Sequence, residues 1–258
     1  MLKKVFGIIS WFPDEPAHRK QRLDRLNKTF KHLIDLFGDD IEFLIIAQNW
    51  KDYEVPEFVK HTTIYKFDKL GILGARKMLR TKFLESDYDY LIMCDDDIVL
   101  EAKTENAAQK YFEEIEKHPK GFSFIQYGWA LTFCAISKWI YSQVDMVDID
   151  PEKNEGYEDT TFPNLLHYMF KGKEFKTNHI FRFLQHKQEY KVNHKSTWMV
   201  RGINYGDLQR KTSIYIEHFS HGDFDIPKIK REIEIEWSKH HKNPETTYVG
   251  RKDTYLYF

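Results

Sequence analysis

The chain has 258 residues, of which 41% are hydrophobic and 16% aromatic. That composition excludes a disordered or low-complexity protein and is enough to bury a substantial core. Its 39 basic and 40 acidic residues leave a formal net charge of -1, which excludes the broad positive footprint of a general nucleic-acid binder.

Residues 5–9, Val5-Phe6-Gly7-Ile8-Ile9, read as a buried strand. Leu23, Leu26, Phe30, Leu33 and Phe37 then recur at three- and four-residue steps, which predicts an amphipathic helix ended by Gly38. Residues 41–47 form the next strand. After Tyr65-Lys66-Phe67, the run Gly71-Ile72-Leu73-Gly74-Ala75-Arg76 opens a helix with Met78, Leu79 and Phe83 on one side, and residues 91–94 are a short, wholly apolar strand. Such β-α-β repetition predicts an α/β fold with a mostly parallel central sheet flanked by helices, whose ligands collect at the carboxyl ends of the strands.

The second half predicts a helix over 104–117, with Ala107, Ala108, Tyr111, Phe112 and Ile115 on one face, broken by Pro119 and Gly121. Strands follow at 122–127 and 130–136, then a polar loop over 145–158 and a helix over 160–170. Short strands are expected near 179–184, 196–200 and 213–217. A helix with a mixed-charge, solvated face is expected over 226–241. No linker composition divides the chain, so one continuous domain over 1–258 is expected. Cys94 and Cys134 lie in apolar runs and read as small buried hydrophobes, which fits a reducing cytoplasm. The basic start leads into an apolar run too short for a signal-peptide core. No apolar run approaches membrane-spanning length, so a membrane contact would be peripheral.

Asp95-Asp96-Asp97 leave the end of the apolar strand at 91–94. Ionised carboxylates cannot continue into an interior covered on both faces, so they must sit at the strand's exit, where three together ask for a cation. On an extended backbone Asp95 and Asp97 point one way and Asp96 the other, so a D-x-D pair can converge on one divalent ion and its bound phosphates. The plain alternative is a solvated turn. Glu158-Asp159 sits at a loop-to-helix junction, where acids serve as N-terminal charge or as a general base. His218 and His221 are alternative late metal ligands, although single histidines more often pack or face solvent. Gly74, Arg76 and Lys77 lie near a helix start and could approach a diphosphate, or merely begin the helix. Trp11, Trp50 and Trp129 could stack on a sugar or base, or pack in the core or at its rim.

The apolar strand ending in Asp95-Asp96-Asp97, the preceding Gly71–Arg76 helix start and the downstream Gly156-Tyr157-Glu158-Asp159 together resemble the GT-A glycosyltransferases, which use nucleotide sugars. The resemblance covers the first two thirds of the chain in order. It implies residues 1–100 as the nucleotide-sugar-binding half and 101–258 as the acceptor-binding half. It also implies Asp97 as main ligand of Mn²⁺ or Mg²⁺, with Asp95 near the ribose or the metal and Asp96 beside them in the donor site. His218 or His221 would complete the metal shell. Asp159 would be the base of an inverting reaction, with Glu158 orienting the acceptor. Ser10 and Trp11 replace the usual polar motif after the first strand, and Ala47-Gln48-Asn49-Trp50 stands where many members carry an acid for the nucleotide base. With Gly74 and Arg76, Ser10, Trp11 and Gln48 are the remaining donor candidates. The expected donor is a nucleotide sugar, a UDP-sugar, and the expected acceptor a glycan, glycolipid or glycoprotein, handled in the cytoplasm or at the membrane surface. Three other readings stand beside it: a haloacid-dehalogenase-like phosphatase using Asp95 and Asp97, a nucleotidyltransferase of related sheet topology, and a non-catalytic module that binds nucleotide sugars or glycans.

Overall fold

Val5, Phe6, Ile8 and Ile9 are all buried, as they must be in a strand covered on both faces, and β1 (Lys4–Trp11) lies inside the main sheet. The computed structural model describes residues 1–125, 130–144, 162–163, 166–167 and 169–185. Within them β1 is followed by α1 (Pro16–Phe37), β2 (Glu42–Gln48), β3 (His61–Phe67), α2 (Gly71–Glu85) and β4 (Tyr90–Asp95). Then come β5 (Ile98–Ala102), α3 (Ala107–Lys117), β6 (Phe122–Phe124), β7 (Phe133–Ser137), the short α4 (Lys138–Tyr141) and β8 (Phe181–Gln185). The main sheet has six strands in the order β3-β2-β1-β4-β7-β6. β3, β2, β1 and β4 run parallel to one another, whereas β7 runs antiparallel between β4 and β6. The protein is thus a mixed α/β fold with a mostly parallel sheet, as its sequence pattern predicts.

Side-chain alternation assigns the two faces. Phe6, Ile8, Phe43, Ile45, Tyr90, Ile92 and Cys94 pack with Leu26, Phe30 and Leu33 of α1 and with Tyr111 and Ile115 of α3. Val5, Ile9, Leu44, Ile46, Leu91 and Met93 pack instead with Leu73, Leu79 and Phe83 of α2 and with Ile140 and Tyr141 of α4. The helices therefore cover opposite faces, and odd and even positions of β4 look toward different helices. α1 is well bounded: the Glu15 carboxylate accepts from the N–H groups of Ala17 and His18, Pro16 opens the helix, and Gly38, at φ 99°, closes it.

Several boundaries differ from the sequence pattern. α3 starts at Ala107 rather than 104, because Asn106 takes a left-handed conformation at φ 55° that a continuing helix cannot contain. The strands expected over 122–127 and 130–136 are shorter, with a turn of 3₁₀ helix over Ala130–Thr132 before β7. β5 carries no clear apolar alternation and escapes a sequence reading. It pairs antiparallel with β8, Ile98 facing Gln185 and Ala102 facing Phe181, in a separate two-stranded ribbon. Cys94 and Cys134 are buried free thiols. No helix among the described residues is long and apolar enough to cross a membrane. The loop over 145–158, the strands near 196–200 and 213–217 and the helix over 226–241 lie outside the described residues.

Gly7 sets how closely α2 approaches the sheet. A Cβ there would lie 2.5 Å from Leu91 Cδ1 and 2.9 Å from Leu79 Cδ2, so only a residue without a side chain lets Leu79 seat against β1. Gly7→Ala is expected to destabilise the fold by about 1–3 kcal/mol through overpacking. Urea denaturation should show a lower midpoint with an unchanged slope, and a smaller loss when Leu91→Ala has already removed the nearer of the two colliding groups.

Candidate active site

From β1 the chain passes to β2 and β3 on one side of the sheet, then returns to β4 on the other side of β1. Connections diverge at that point, which is where open α/β sheets form a ligand crevice, beyond the carboxyl ends of β1 and β4. Ile9 pairs in register with Asp95, which brings Ser10 and Trp11 alongside the three aspartates.

The alternation of β4 decides which helix each acid meets. Asp95 continues the Leu91–Met93 series toward α2, where Arg76 donates from Nη2 to Asp95 Oδ1 at 3.3 Å. Asp96 continues the Ile92–Cys94 series toward α1, where Arg22 Nη2 donates to both carboxylate oxygens at 2.7 and 2.8 Å. Ser10, of the same parity on β1, donates its hydroxyl to Asp96 Oδ2 at 2.6 Å. The strand stops at Asp95, and Asp96-Asp97 form the turn into β5. Asp97 Oδ2 lies 3.8 Å from Arg22 Nη1 and 3.9 Å from Arg25 Nη1. The cations nearest to Asp95 and Asp97 thus belong to helices on opposite faces. The strict strand alternation expected through Asp97 ends at the turn.

Side-chain exposure separates the three acids. Asp96 is 5% exposed, Asp95 29% and Asp97 36%, so only the outer two offer carboxylate surface to a ligand. Burial pushes the Asp96 carboxyl above the usual carboxylate range, opposed by the guanidinium of Arg22 and the hydroxyl of Ser10 and reinforced by the charge of Asp97. The same contact with Asp96 holds the Arg22 proton more firmly than usual.

α1 supports the whole turn. Thr29 Oγ1 donates to the carbonyl of Asp96 at 3.2 Å, and His32 Nε2 accepts from the Leu100 N–H at 2.9 Å. Arg22, Arg25, Thr29 and His32 therefore form one stripe at three- and four-residue spacing, beside the apolar stripe of Leu26, Phe30 and Leu33. Sequence reading followed the apolar stripe and missed this polar one, although its spacing was the available signal.

The other expected donor residues fall into different settings. Trp11 is 39% exposed at the mouth of the crevice, whereas Trp50 is buried and stacked on Phe12 at 5.2 Å. Trp50 thus belongs to the core. Gln48 is buried at the end of β2, and its Oε1 accepts from the Leu70 N–H at 2.6 Å, supplying the start of α2 with the cap that Leu70 itself lacks. Gly74 lies one turn into α2, where a Cβ would come within 3.3 Å of Leu70 Cβ. Ser10, Asp95, Asp96, Asp97 and Arg76 are therefore brought together, with Gln48 buttressing from the next strand. Glu158, Asp159, His218, His221 and Trp129 lie outside the described residues.

As hard oxygen donors at a solvent-accessible edge, Asp95 and Asp97 suit Mn²⁺ or Mg²⁺, which commonly take few protein ligands and fill the rest with water and substrate phosphate. Among the described residues no group of three or more His, Cys, Asp or Glu is arranged to hold a metal ion. Asp95 and Asp97 therefore supply at most a two-carboxylate share of such a site.

Arg22→Ala would strand the Asp96 carboxylate without its cation. Because Arg22 is 23% exposed, the expected loss is about 2–3 kcal/mol, somewhat less than for a fully enclosed pair. The deficit should shrink in acid, where Asp96 can protonate, and grow as pH rises through its raised folded-state pKa. Chemical denaturation across pH checks this, and a pH-independent loss would contradict it.

No family model and no curated protein matches the chain. Among solved structures it is similar to a protein described as a glucose-1-phosphate thymidylyltransferase from Bacillus anthracis, in complex with a sucrose. That match is 14% identical, covers 70% of this chain and 89% of the other, and has a TM-score of 0.45. A197 from STIV is 13% identical over 72% of this chain and 86% of its own, with a TM-score of 0.41. HddC from Yersinia pseudotuberculosis, complexed with GMP-PN, is 14% identical over 71% of this chain and 93% of its own, with a TM-score of 0.40. At these identities and TM-scores the likeness transfers no residue role to this chain.

Proposed function

We propose that the protein is a metal-dependent glycosyltransferase that moves a sugar from a nucleotide-sugar donor, such as a UDP-sugar, to a glycan, glycolipid or glycoprotein acceptor with inversion. The observation that carries the reading is the division of labour within one acidic triplet at the switch-point crevice: Asp96 is anchored inward, while Asp95 and Asp97 keep carboxylate surface beside arginines. A merely solvated turn has no need of a buried, doubly bonded central aspartate.

Under this reading Asp95 and Asp97 hold Mn²⁺ or Mg²⁺. When bound, that ion acts as a Lewis acid toward the leaving diphosphate. Asp96, Ser10 and Arg22 position the two ligands. Arg76, buried beside Asp95, adds positive potential behind them. Trp11 offers an exposed aromatic face at the crevice for the sugar or base. Asp159 is assigned the general base, with Glu158 orienting the acceptor and His218 or His221 adding a late metal ligand. The acceptor hydroxyl loses its proton to Asp159 as its oxygen bonds to the anomeric carbon, and the bond from that carbon to the phosphate oxygen breaks with its electron pair leaving on the nucleoside diphosphate.

Thermal-shift measurements with a panel of nucleotide sugars, with and without Mn²⁺, test the donor. At about a hundredfold excess over Kd, binding stabilises by about 2.7 kcal/mol, equivalent to about 5–10 °C for a chain of this size. A silent panel would end the reading. Asp97→Ala should remove metal-dependent turnover and weaken donor binding, whereas Asp159→Asn should keep donor binding and lose transfer. Pyrophosphate release from a sugar phosphate and a nucleoside triphosphate would replace the reading with nucleotidyl transfer.

A further inference from the structure

Three carboxylates, Asp95, Asp96 and Asp97, face three guanidiniums, Arg22, Arg25 and Arg76, so among the described residues the charges at the crevice cancel. The three arginines are not equivalent. Arg22 donates to both oxygens of Asp96, and Arg76 is a buried partner of Asp95. Arg25 is different: its side chain is only 20% exposed, yet among the described residues it makes no hydrogen bond, and its one ionic contact is Asp97 at 3.9 Å. That separation is well beyond the about 2.7–2.9 Å of a charge-assisted hydrogen bond. A guanidinium carries five donors in a fixed fork that matches phosphate oxygens, and one that keeps some exposure and no short bond has donors to offer an incoming anion.

We infer that Arg25 is a switching anion contact that couples the cation to the diphosphate. In the free protein it shares Asp97 with Arg22, and in the loaded protein it turns its fork to a phosphoryl oxygen of the donor and frees Asp97 for the metal. This rests on the proposed donor site and specifies its order of loading. A divalent ion alone enters a corner already compensated by arginines and is held weakly. A diphosphate alone leaves Asp97 less compensated as soon as it draws Arg25 away, while Asp95 and Asp96 keep Arg76 and Arg22. Together the two ligands satisfy both sets of charges, so each strengthens the other by the same factor. Removing the positive charge of Arg25 therefore has opposite effects on the two: metal alone binds more tightly and diphosphate binds less well. A residue that only supports the fold would weaken both.

The test measures Mn²⁺ retained with the full chain on ultrafiltration, first with Mn²⁺ alone and then with pyrophosphate present as a base-independent probe, each read against a protein-free solution of the same Mn²⁺ and pyrophosphate. In the unsubstituted protein, pyrophosphate should tighten Mn²⁺ binding by about tenfold or more. Arg25→Gln should tighten Mn²⁺ alone by about threefold to tenfold, the scale for deleting one partly screened charge at this distance, and should shrink the gain from pyrophosphate. Arg25→Lys, which keeps the charge but not the fork, should bind Mn²⁺ alone as the unsubstituted protein does and recover only part of that gain. If Arg25→Gln leaves the binding of Mn²⁺ alone unchanged or weakens it, the switching role is wrong while the donor site stands. If the unsubstituted protein takes up no Mn²⁺ with either pyrophosphate or the nucleotide-sugar panel, the metal-dependent reading fails and the switching role with it.

Discussion

The contact between Arg22 and Asp96 governs the carboxyl edge of this protein. A carboxylate at the end of a wholly apolar strand must either turn out to water or bring a cation in with it, and here α1 supplies the cation. Desolvating both groups is unfavourable, and a buried ion pair is weak evidence of added stability. Its effect is geometric: the pair and the Ser10 hydroxyl fix the middle of the turn, so the acids on either side face the crevice with little freedom.

The strand's alternation extends that control to both faces of the sheet. One residue step separates Asp95 from Asp96, yet their partners come from α2 and α1, which never share a face. Each helix is located by a different device. α1 is held by its apolar stripe and by the bonds from Thr29 and His32 to the turn and β5. α2 is held by the Gly7–Leu79 approach and by the Gln48 cap at Leu70. Arg76 lies one turn before Leu79, so the missing side chain at Gly7 helps decide where that guanidinium stands.

The parallel sheet and the position of the aspartates were legible because apolar runs and helical spacing are local signals. Val5–Ile9, the Leu26–Phe30–Leu33 stripe and the apolar run before Asp95 announce buried elements without knowledge of their neighbours. The charge partners were not legible. Arg22 is far from Asp96 in sequence, and its role follows only once α1 is laid on the face that Cys94 and Asp96 share. Gln48 carried a donor-site expectation, and its side chain is instead engaged with the backbone of Leu70, a bond that no spacing rule exposes. Strand β5 was missed for a related reason: Glu101 and Ala102 are exposed, and the strand exists because β8 pairs with it.

That ribbon has a consequence for the order in which the protein assembles during synthesis. Among the described residues, every strand of the main sheet and the three arginines that face the aspartates lie in the chain up to Ser137, whereas the partner of β5 is not complete until Gln185. On a ribosome, where N-terminal parts emerge first, the charged corner can draw its salt bridges together before its flanking strand has left the exit tunnel. The last pairing then zips onto a template already anchored through Thr29 and His32, which hold β5 in place while it waits as an unpartnered edge.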